Sequence, residues 1–233
     1  MFNKQAILLP LLFIATLNTH AQSLPPVRLG VYAYPNVCML KYTFPEDATD
    51  DFIDQQKTIE SPKFSYSAGI SVEVPLSDSW TLRPGLGYRN TGMRFRYPVY
   101  VAGYDIVSYT RTDNYHDLEL PVSMVFKIGD RWFATGGCSG LLHVGSSTRT
   151  VMQNKNGDPV DLPQETSYEK YRALNVTVLS GFGYQLVQHE AFNLYAQPTA
   201  QYALLGHWMD MDVERRAFTA GLTVGVQFGG PGN

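Results

Sequence analysis

His143 stands three and four positions ahead of Ser146 and Ser147, with Glu165 and Glu169 further along the chain. A hydroxyl, an imidazole and a carboxylate are the parts of a nucleophile, the base that takes its proton and the group that orients the base. Arg28, Glu73, Arg83, Arg89, Asp117, Glu119 and Lys127 form a second set, of opposite charges that can pair with one another or line an ion path. Two acidic groups, Glu46, Asp47, Asp50, Asp51 and Asp54, then Asp210, Asp212 and Glu214, place carboxylates closely enough to hold a hard divalent cation. Neither has the glycine-containing spacing of a calcium loop, so both read as solvated acidic surface and no metal or cofactor is expected. Finally, Arg94, Arg96, Tyr97, Tyr100, Tyr104, Tyr109, Arg111 and Tyr115 crowd one segment, and these two residue types are enriched at interaction hot spots. What any of these sets does depends on the elements that hold it.

The first residues bear on the compartment. Lys4, the apolar run from Ala6 to Leu17 and the small residues Thr19 and Ala21 before Gln22 have the order of a cleavable signal peptide, residues 1–21, leaving 22–233 as one domain. The run is too short for a spanning helix, which needs about 20 residues. Without Lys4, 17 of the 18 basic residues remain against 21 acidic ones, a mild negative balance that excludes a nucleic-acid partner. Cys38 and Cys138 are far apart and without metal-ligand spacing, and read as unpaired thiols.

Alternation of apolar and polar residues sets the architecture. Phe64, Tyr66, Ala68, Ile70, Val72 and Val74 share one phase, and Phe218, Ala220, Leu222, Val224, Val226 and Phe228 another. A period of two puts each set on one face of a strand. The same pattern predicts eight strands, at 27–34, 64–74, 80–89, 117–126, 132–144, 173–186, 192–204 and 218–228. Val74 and Trp80, Phe126 and Trp132, and Leu186 and Phe192 are each six positions apart and bracket short turns at 75–79, 127–131 and 187–191. The intervening connections, 35–63, 90–116, 145–172 and 205–215, are long and rich in Asp, Asn, Pro and Tyr.

Short turns alternating with long loops around an even number of strands predict an all-β, eight-stranded, antiparallel up-and-down transmembrane β-barrel, with the short turns and both termini in the periplasm. A soluble barrel, apolar within, is the competing arrangement. Gly and Ser on the polar phase suit the narrow interior of a small membrane barrel. Trp80, Phe126, Trp132, Tyr184, Phe192 and Phe228, on the apolar phase beside the turns, would make an interfacial girdle.

The chain resembles the small outer-membrane β-barrels of Bacteroidota, a family that includes PorT and is often labelled porin-like or OmpA-like. The resemblance lies in the signal peptide ending at Ala21-Gln22, in Val74-Pro75-Leu76 and Trp80-Thr81-Leu82-Arg83-Pro84-Gly85-Leu86-Gly87-Tyr88, and in Leu118-Glu119-Leu120-Pro121-Val122. It implies the outer membrane of a Gram-negative cell, with lipid and lipopolysaccharide as surroundings, rather than one activity. The chain departs from the usual aromatic terminus of such barrels, because Gly229-Gly230-Pro231-Gly232-Asn233 follows Phe228.

In such a barrel the charged set from Arg28 to Lys127 points into the lumen and should pair as a structural network. The hairpin at 75–79 is expected to set Ser71 opposite Arg83, with Glu73 as the diagonal partner. His143 also falls on the polar phase, whereas a lipid A hydrolase needs its base at the lipid-facing wall; His116, His189 and His207 read as solvent-exposed. The Tyr- and Arg-rich segment extends strands three and four into a hairpin, with a bulge at Asn90-Thr91-Gly92, that offers a docking surface. The expectation is a non-enzymatic barrel with a structural or partner-binding role, a membrane protein being one such partner. A narrow pore, a type IX secretion accessory and a lipid A hydrolase are the alternatives.

Overall fold

A computed structural model of the chain describes residues 27–98, 106–154, 159–161, 171–206 and 214–229. The signal segment, Tyr100, Tyr104, Glu165, Glu169, His207, Asp210 and Asp212 lie outside these residues. In chain order the elements are β1 (Arg28–Thr43), α1 (Asp50–Ile59), β2 (Glu60–Ser61), β3 (Lys63–Pro75), β4 (Trp80–Pro98), β5 (Ile106–Ile128), β6 (Trp132–Asn154), β7 (Pro159–Asp161), β8 (Leu174–Gln188), β9 (Phe192–Ala203) and β10 (Glu214–Phe228). β1 pairs with both β3 and β10, and every other neighbour in the ring β1-β3-β4-β5-β6-β8-β9-β10 is antiparallel. The eight-stranded sheet therefore closes on itself, which leaves no unpaired edge around the wall.

The wall is inside out relative to a soluble protein. Leu29, Phe64, Ile70, Leu86, Leu120 and Leu174 are more than half or nearly half exposed, while Ser65, Ser67, Ser139, Thr177, Thr219, Arg89 and Glu119 are buried to 2% or less. Water outside such a surface would be highly unfavourable, at roughly 25 cal/mol per Å² of apolar area, whereas lipid is not. The interior is too narrow for large side chains everywhere. Tyr32 lies across Gly69 and Gly87, Tyr195 across Gly225 and Phe133 across Gly183, so rings fill space that any Cβ would occupy. This is the physical reason for glycine on the polar phase.

The short hairpins are tighter than their spacing suggests. Ser71 pairs with Gly85 and Val74 with Leu82, which brings Glu73 level with Arg83 instead of diagonal to it. The cause is the turn: Leu76 N donates to Trp80 O, so pairing continues beyond Val74. Ile128 likewise opposes Trp132. The aromatics that bracket the turns are consequently paired with the neighbouring hairpin, Trp80 with Phe126, Trp132 with Tyr184 and Phe192 with Phe228.

β4 and β5 run on into the hairpin expected of the Tyr- and Arg-rich segment, β4 reaching Pro98 and β5 spanning 23 residues, and β6, also of 23 residues, is much longer than expected. No bulge interrupts β4 at Asn90-Thr91-Gly92, since its register with β5 is unbroken from Gly87–Glu119 to Pro98–Ser108. The irregularity is on the other side of β5, where His116 pairs with Gly145 but Asp117 with His143. What changes at Asn90 is polarity. Below it Leu82, Leu86 and Tyr88 face out; above it Arg94 and Arg96 do, and Met93 and Phe95 turn inward. The first long connection is also not a plain loop. Thr49 caps α1 by accepting from Phe52 N at 3.4 Å, and Asp50 and Asp51 complement the helix dipole in its first turn.

Candidate functional site

The lumen is where the expected charge set converges, and it divides into three levels. At the periplasmic level a cavity of about 340 Å³ opens between Arg28, Lys127, Gln185 and Asn193. Above it Arg83 and Glu73 form an ion pair, with Arg83 Nε at 2.7 Å from Glu73 Oε1 and Nη2 at 2.5 Å. Gln227 Nε2 donates to the same oxygen. The guanidinium also lies over the rings of Tyr195, at 4.9 Å, and Phe133, at 5.7 Å. Strands β3, β4, β6, β9 and β10 thus meet at one ion pair set in the lumen.

The middle level is a cavity of about 70 Å³ lined by Tyr32, Tyr34, Glu119, Pro121, Leu179 and Gln197 among others. It has room for on the order of five waters. Tyr34 reaches from β1 along the inner wall over β10 to β9, donating to Thr199 O at 3.1 Å with Thr219 Oγ1 at 3.3 Å from its hydroxyl. Glu119 Oε1 and Arg89 Nη1 are buried without a protein hydrogen-bond partner. Arg89 opposes Asp117 and Glu119 opposes Gly87, so these charges sit on one stretch of the β4–β5 wall.

At the outer level Asp117 accepts from His143 Nδ1 at 3.0 Å, and the His143 ring lies 5.1 Å from Tyr171 and 6.4 Å from Tyr115. His143 is half-buried on the lumen side, and its described partner is a carboxylate rather than Ser146 or Ser147. Ser147 accepts from Asn114 Nδ2. The imidazole thus ties β5 to β6 through Asp117. His116 is half-buried on the outer surface, hydrogen-bonded to Tyr88, and His189 is exposed at its turn.

Over this level sits an apolar lid. Ile59, at the end of α1, packs with Met93, Phe95 and Tyr115, and Leu40, Tyr97 and Tyr171 surround them. Arg215 lies over Tyr42 and Phe95. Glu60 follows α1 and accepts from Leu40 N at 3.0 Å, fixing the return of the connection to the wall. Burial holds its carboxyl above the usual carboxylate range, opposed by its hydrogen-bond donors and by Arg215. The lid escapes a reading by phase because its apolar residues continue the inward positions that are polar lower down.

The Tyr- and Arg-rich hairpin is two-faced. The tilted rings of Tyr97 and Tyr109 lie 5.8 Å apart on the inner face, and Arg111 Nε is 2.9 Å from Asp113 Oδ1, which also accepts from Thr148. Arg94 and Arg96 are exposed on the outer face. The girdle aromatics lie on the outer wall beside the turns, with ring centroids 4.7 Å apart for Trp80 and Phe126 and 4.6 Å for Trp132 and Tyr184. Cys38 faces the lumen and is buried, Cys138 is exposed on the outer wall, and both are free. Gln227, Tyr195 and Phe133 were not foreseen as parts of the ion-pair level. Only the shared inward phase of these residues hints at them.

The family described as outer membrane protein beta-barrel domain matches residues 21–199. No curated protein matches the chain. Among solved structures, Ail, the attachment invasion locus protein of Yersinia pestis, in complex with the heparin analogue sucrose octasulfate, is 13% identical over 85% of this chain and 97% of that one, with a TM-score of 0.35. Neisserial surface protein A is 12% identical over 87% and 95%, with a TM-score of 0.32. OprG from Pseudomonas aeruginosa is 10% identical over 85% and 93%, with a TM-score of 0.28.

Proposed function

Because the chain belongs to the outer membrane protein β-barrel domain family, we propose that it acts as a non-enzymatic integral outer-membrane protein whose extracellular wall, and not its lumen, makes the functional contact, with a membrane-protein partner. The observation that carries this reading is the obstruction of the bore at two levels, by the Arg83–Glu73 pair below and by the Ile59, Met93, Phe95 and Tyr115 lid above. Side chains packed across the lumen at two heights favour a filled, stiffened barrel over an open pore. Meanwhile β4, β5 and β6 carry the wall well past the last lipid-facing residues, where a partner can reach it. The bond from His143 to Asp117 favours a structural role for the imidazole over a hydrolase base.

The test has two arms. In planar bilayers the purified barrel should give no stepwise conductance, and affinity purification of the detergent-solubilised protein should recover a membrane protein in stoichiometric amount. Stepwise channels abolished by Arg83→Ala would establish the narrow pore instead, and recovery of the barrel alone would remove the partner. The segments Val74-Pro75-Leu76 and Trp80 to Tyr88 support the finer placement beside PorT-containing barrels of Bacteroidota, and with it a type IX secretion accessory as the second reading. Retention of type IX cargo in the periplasm of a strain lacking this chain is its expected consequence. Cleavage after Ala21 would leave Gln22 as the first residue of the mature protein, which intact mass measurement reads directly.

A further inference from the structure

We propose that Glu119 holds a monovalent cation in the middle of the lumen, between the Arg83–Glu73 pair and the apolar lid, with oxygens of Tyr32, Ser67 and Gln201 completing its shell. Glu119 is 1% exposed, and its Oε1 is buried without a hydrogen-bond partner among the described residues. It lines the cavity of about 70 Å³, and three other residues of that lining, Tyr32, Ser67 and Gln201, also carry a buried side-chain oxygen without a partner. The four come from β5, β1, β3 and β9, so they face the bore from separate sides of the ring. Glycine brings one of them towards Glu119: a Cβ on Gly87 would meet the Tyr32 hydroxyl, and Gly87 is the residue that pairs with Glu119.

The charge of Glu119 selects an ion. Neither arginine at this height neutralises it through a contact. Arg83 directs Nε and Nη2 to Glu73. Arg89 stands in register with Asp117, its Nη1 is as unpartnered as the Glu119 oxygen, and among the described residues no ion pair joins the two. An isolated carboxylate is costly to bury, because a low dielectric penalises uncompensated charge. A water molecule would satisfy the hydrogen bond and leave the charge, whereas a cation satisfies both. Gln201 Oε1, an acceptor only, has the same need for a donor or a cation.

The donor set narrows the class of ion. All four unpartnered atoms are oxygens, and neither a thiol nor an imidazole lines the cavity, which suits a hard cation over zinc or copper. Calcium affinity rises with the number of charged ligands, and one carboxylate matches the single charge of sodium or potassium. The cavity takes such an ion with a few waters in the rest of its shell.

The test is urea unfolding of the full chain in phosphatidylcholine vesicles, with sodium or potassium chloride replacing choline chloride at constant ionic strength. Choline is too large for the cavity, and neither urea nor the lipid carries a net charge. Once the ion exceeds its dissociation constant, each tenfold rise in its concentration should multiply the folded-to-unfolded ratio about tenfold. Glu119→Gln should abolish this dependence, while Gln201→Leu and Tyr32→Phe should shift its onset to severalfold higher concentration. Glu190→Gln, exposed at a periplasmic turn, should leave it unchanged. A wild-type barrel as stable in choline as in sodium or potassium overturns the proposal, because the carboxyl is then protonated or merely hydrated. Dependence retained in Glu119→Gln overturns the placement, and stabilisation by calcium at lower concentration than by either monovalent ion overturns the class. Should Glu119→Gln fail to fold, unchanged onsets in both Gln201→Leu and Tyr32→Phe overturn the placement instead. All three lumen substitutions leave the extracellular wall intact, so partner recovery reports on the preceding proposal separately.

Discussion

Removing one member of the Arg83–Glu73 pair should cost far more than removing both. Their side chains are 11% and 9% exposed, so a survivor is left nearly without bulk solvent. Truncating one partner of a buried pair costs about 3–5 kcal/mol. Two features lower the figure here. Cavities of about 70 and 40 Å³ lie on either side of Arg83 and admit water to a stranded charge. Glu73 would also keep Gln227 as a donor, and Arg28 stands opposite it in register. Glu73→Leu should therefore destabilise the barrel by about 3 kcal/mol and Arg83→Met by about 2, while the double variant, an apolar pair of similar volume, should lose only about 1. The coupling is then about 4 kcal/mol. Guanidinium unfolding in phospholipid vesicles, followed by the fluorescence of Trp80 and Trp132, measures it through a double-mutant cycle. Additive costs, with coupling within about 0.5 kcal/mol, would refute the reasoning, because that is the behaviour of independent sites.

Gly92 has φ of 144°, and a Cβ there would run into the Asp113 carbonyl, so Gly92→Ala should cost at least about 1–3 kcal/mol in the same unfolding measurement. Phe95→Ala should open the lid at a cost of about 3 kcal/mol, seen as faster amide exchange at Met93 and Tyr115 with little change near the periplasmic turns. Thr49→Ala removes the cap of α1 and should reduce its helix protection by about 1 kcal/mol. Glu60 is held above its ordinary value by burial, so the fold takes up a proton relative to the unfolded chain. Lid stability should be full at pH below the ordinary carboxylate range, fall as pH rises from that range through the raised value, and level off above it. Amide exchange of Leu40, whose N–H donates to Glu60, should follow this course and become flat in Glu60→Gln.

Alternation was enough to reveal the ring of strands, because lipid outside and a narrow polar bore inside impose opposite demands on adjacent residues. It could not reveal register. That depends on where each turn closes, and Leu76 N bonding Trp80 O draws the first hairpin two residues tighter than Val74 and Trp80 suggest. The Glu73–Arg83 contact was legible all the same, since a long side chain reaches either geometry. The pairing of His143 with Asp117 was not, because it follows from an irregularity at His116 and Gly145 that no local motif announces. Helix α1 was hidden for a different reason: its polar, acidic residues read as a solvated loop, since only Phe52, Ile53 and Ile59 are apolar and only Thr49 with Asp50 and Asp51 marks its start.

The extension of β4 and β5 was legible in the Tyr- and Arg-rich segment, but the feature that fixes the membrane boundary at its base was read as a bulge. Alternation never stops on β4, but its sign reverses at Asn90, so a reading by apolar phase takes the reversal for a break. On β1 the outward apolar residues run from Leu29 to Met39 before Lys41, on β10 from Phe228 to Phe218 before Arg216, and on β5 from Ile128 to Leu118 before His116. Each run covers eleven residues, whose ten rises of about 3.3 Å at a tilt near 40° make a belt roughly 25 Å tall, the height of an outer-membrane apolar band. Strands from separate parts of the chain share this height although their total lengths differ, β1 having 16 residues and β5 having 23. A soluble barrel has no cause to end its apolar wall at one level all round, so the common limit is set by the solvent. The same limit explains why the arginines of β4 appear where they do: below Asn90 an outward guanidinium would face hydrocarbon, and above it an outward Phe95 would face water.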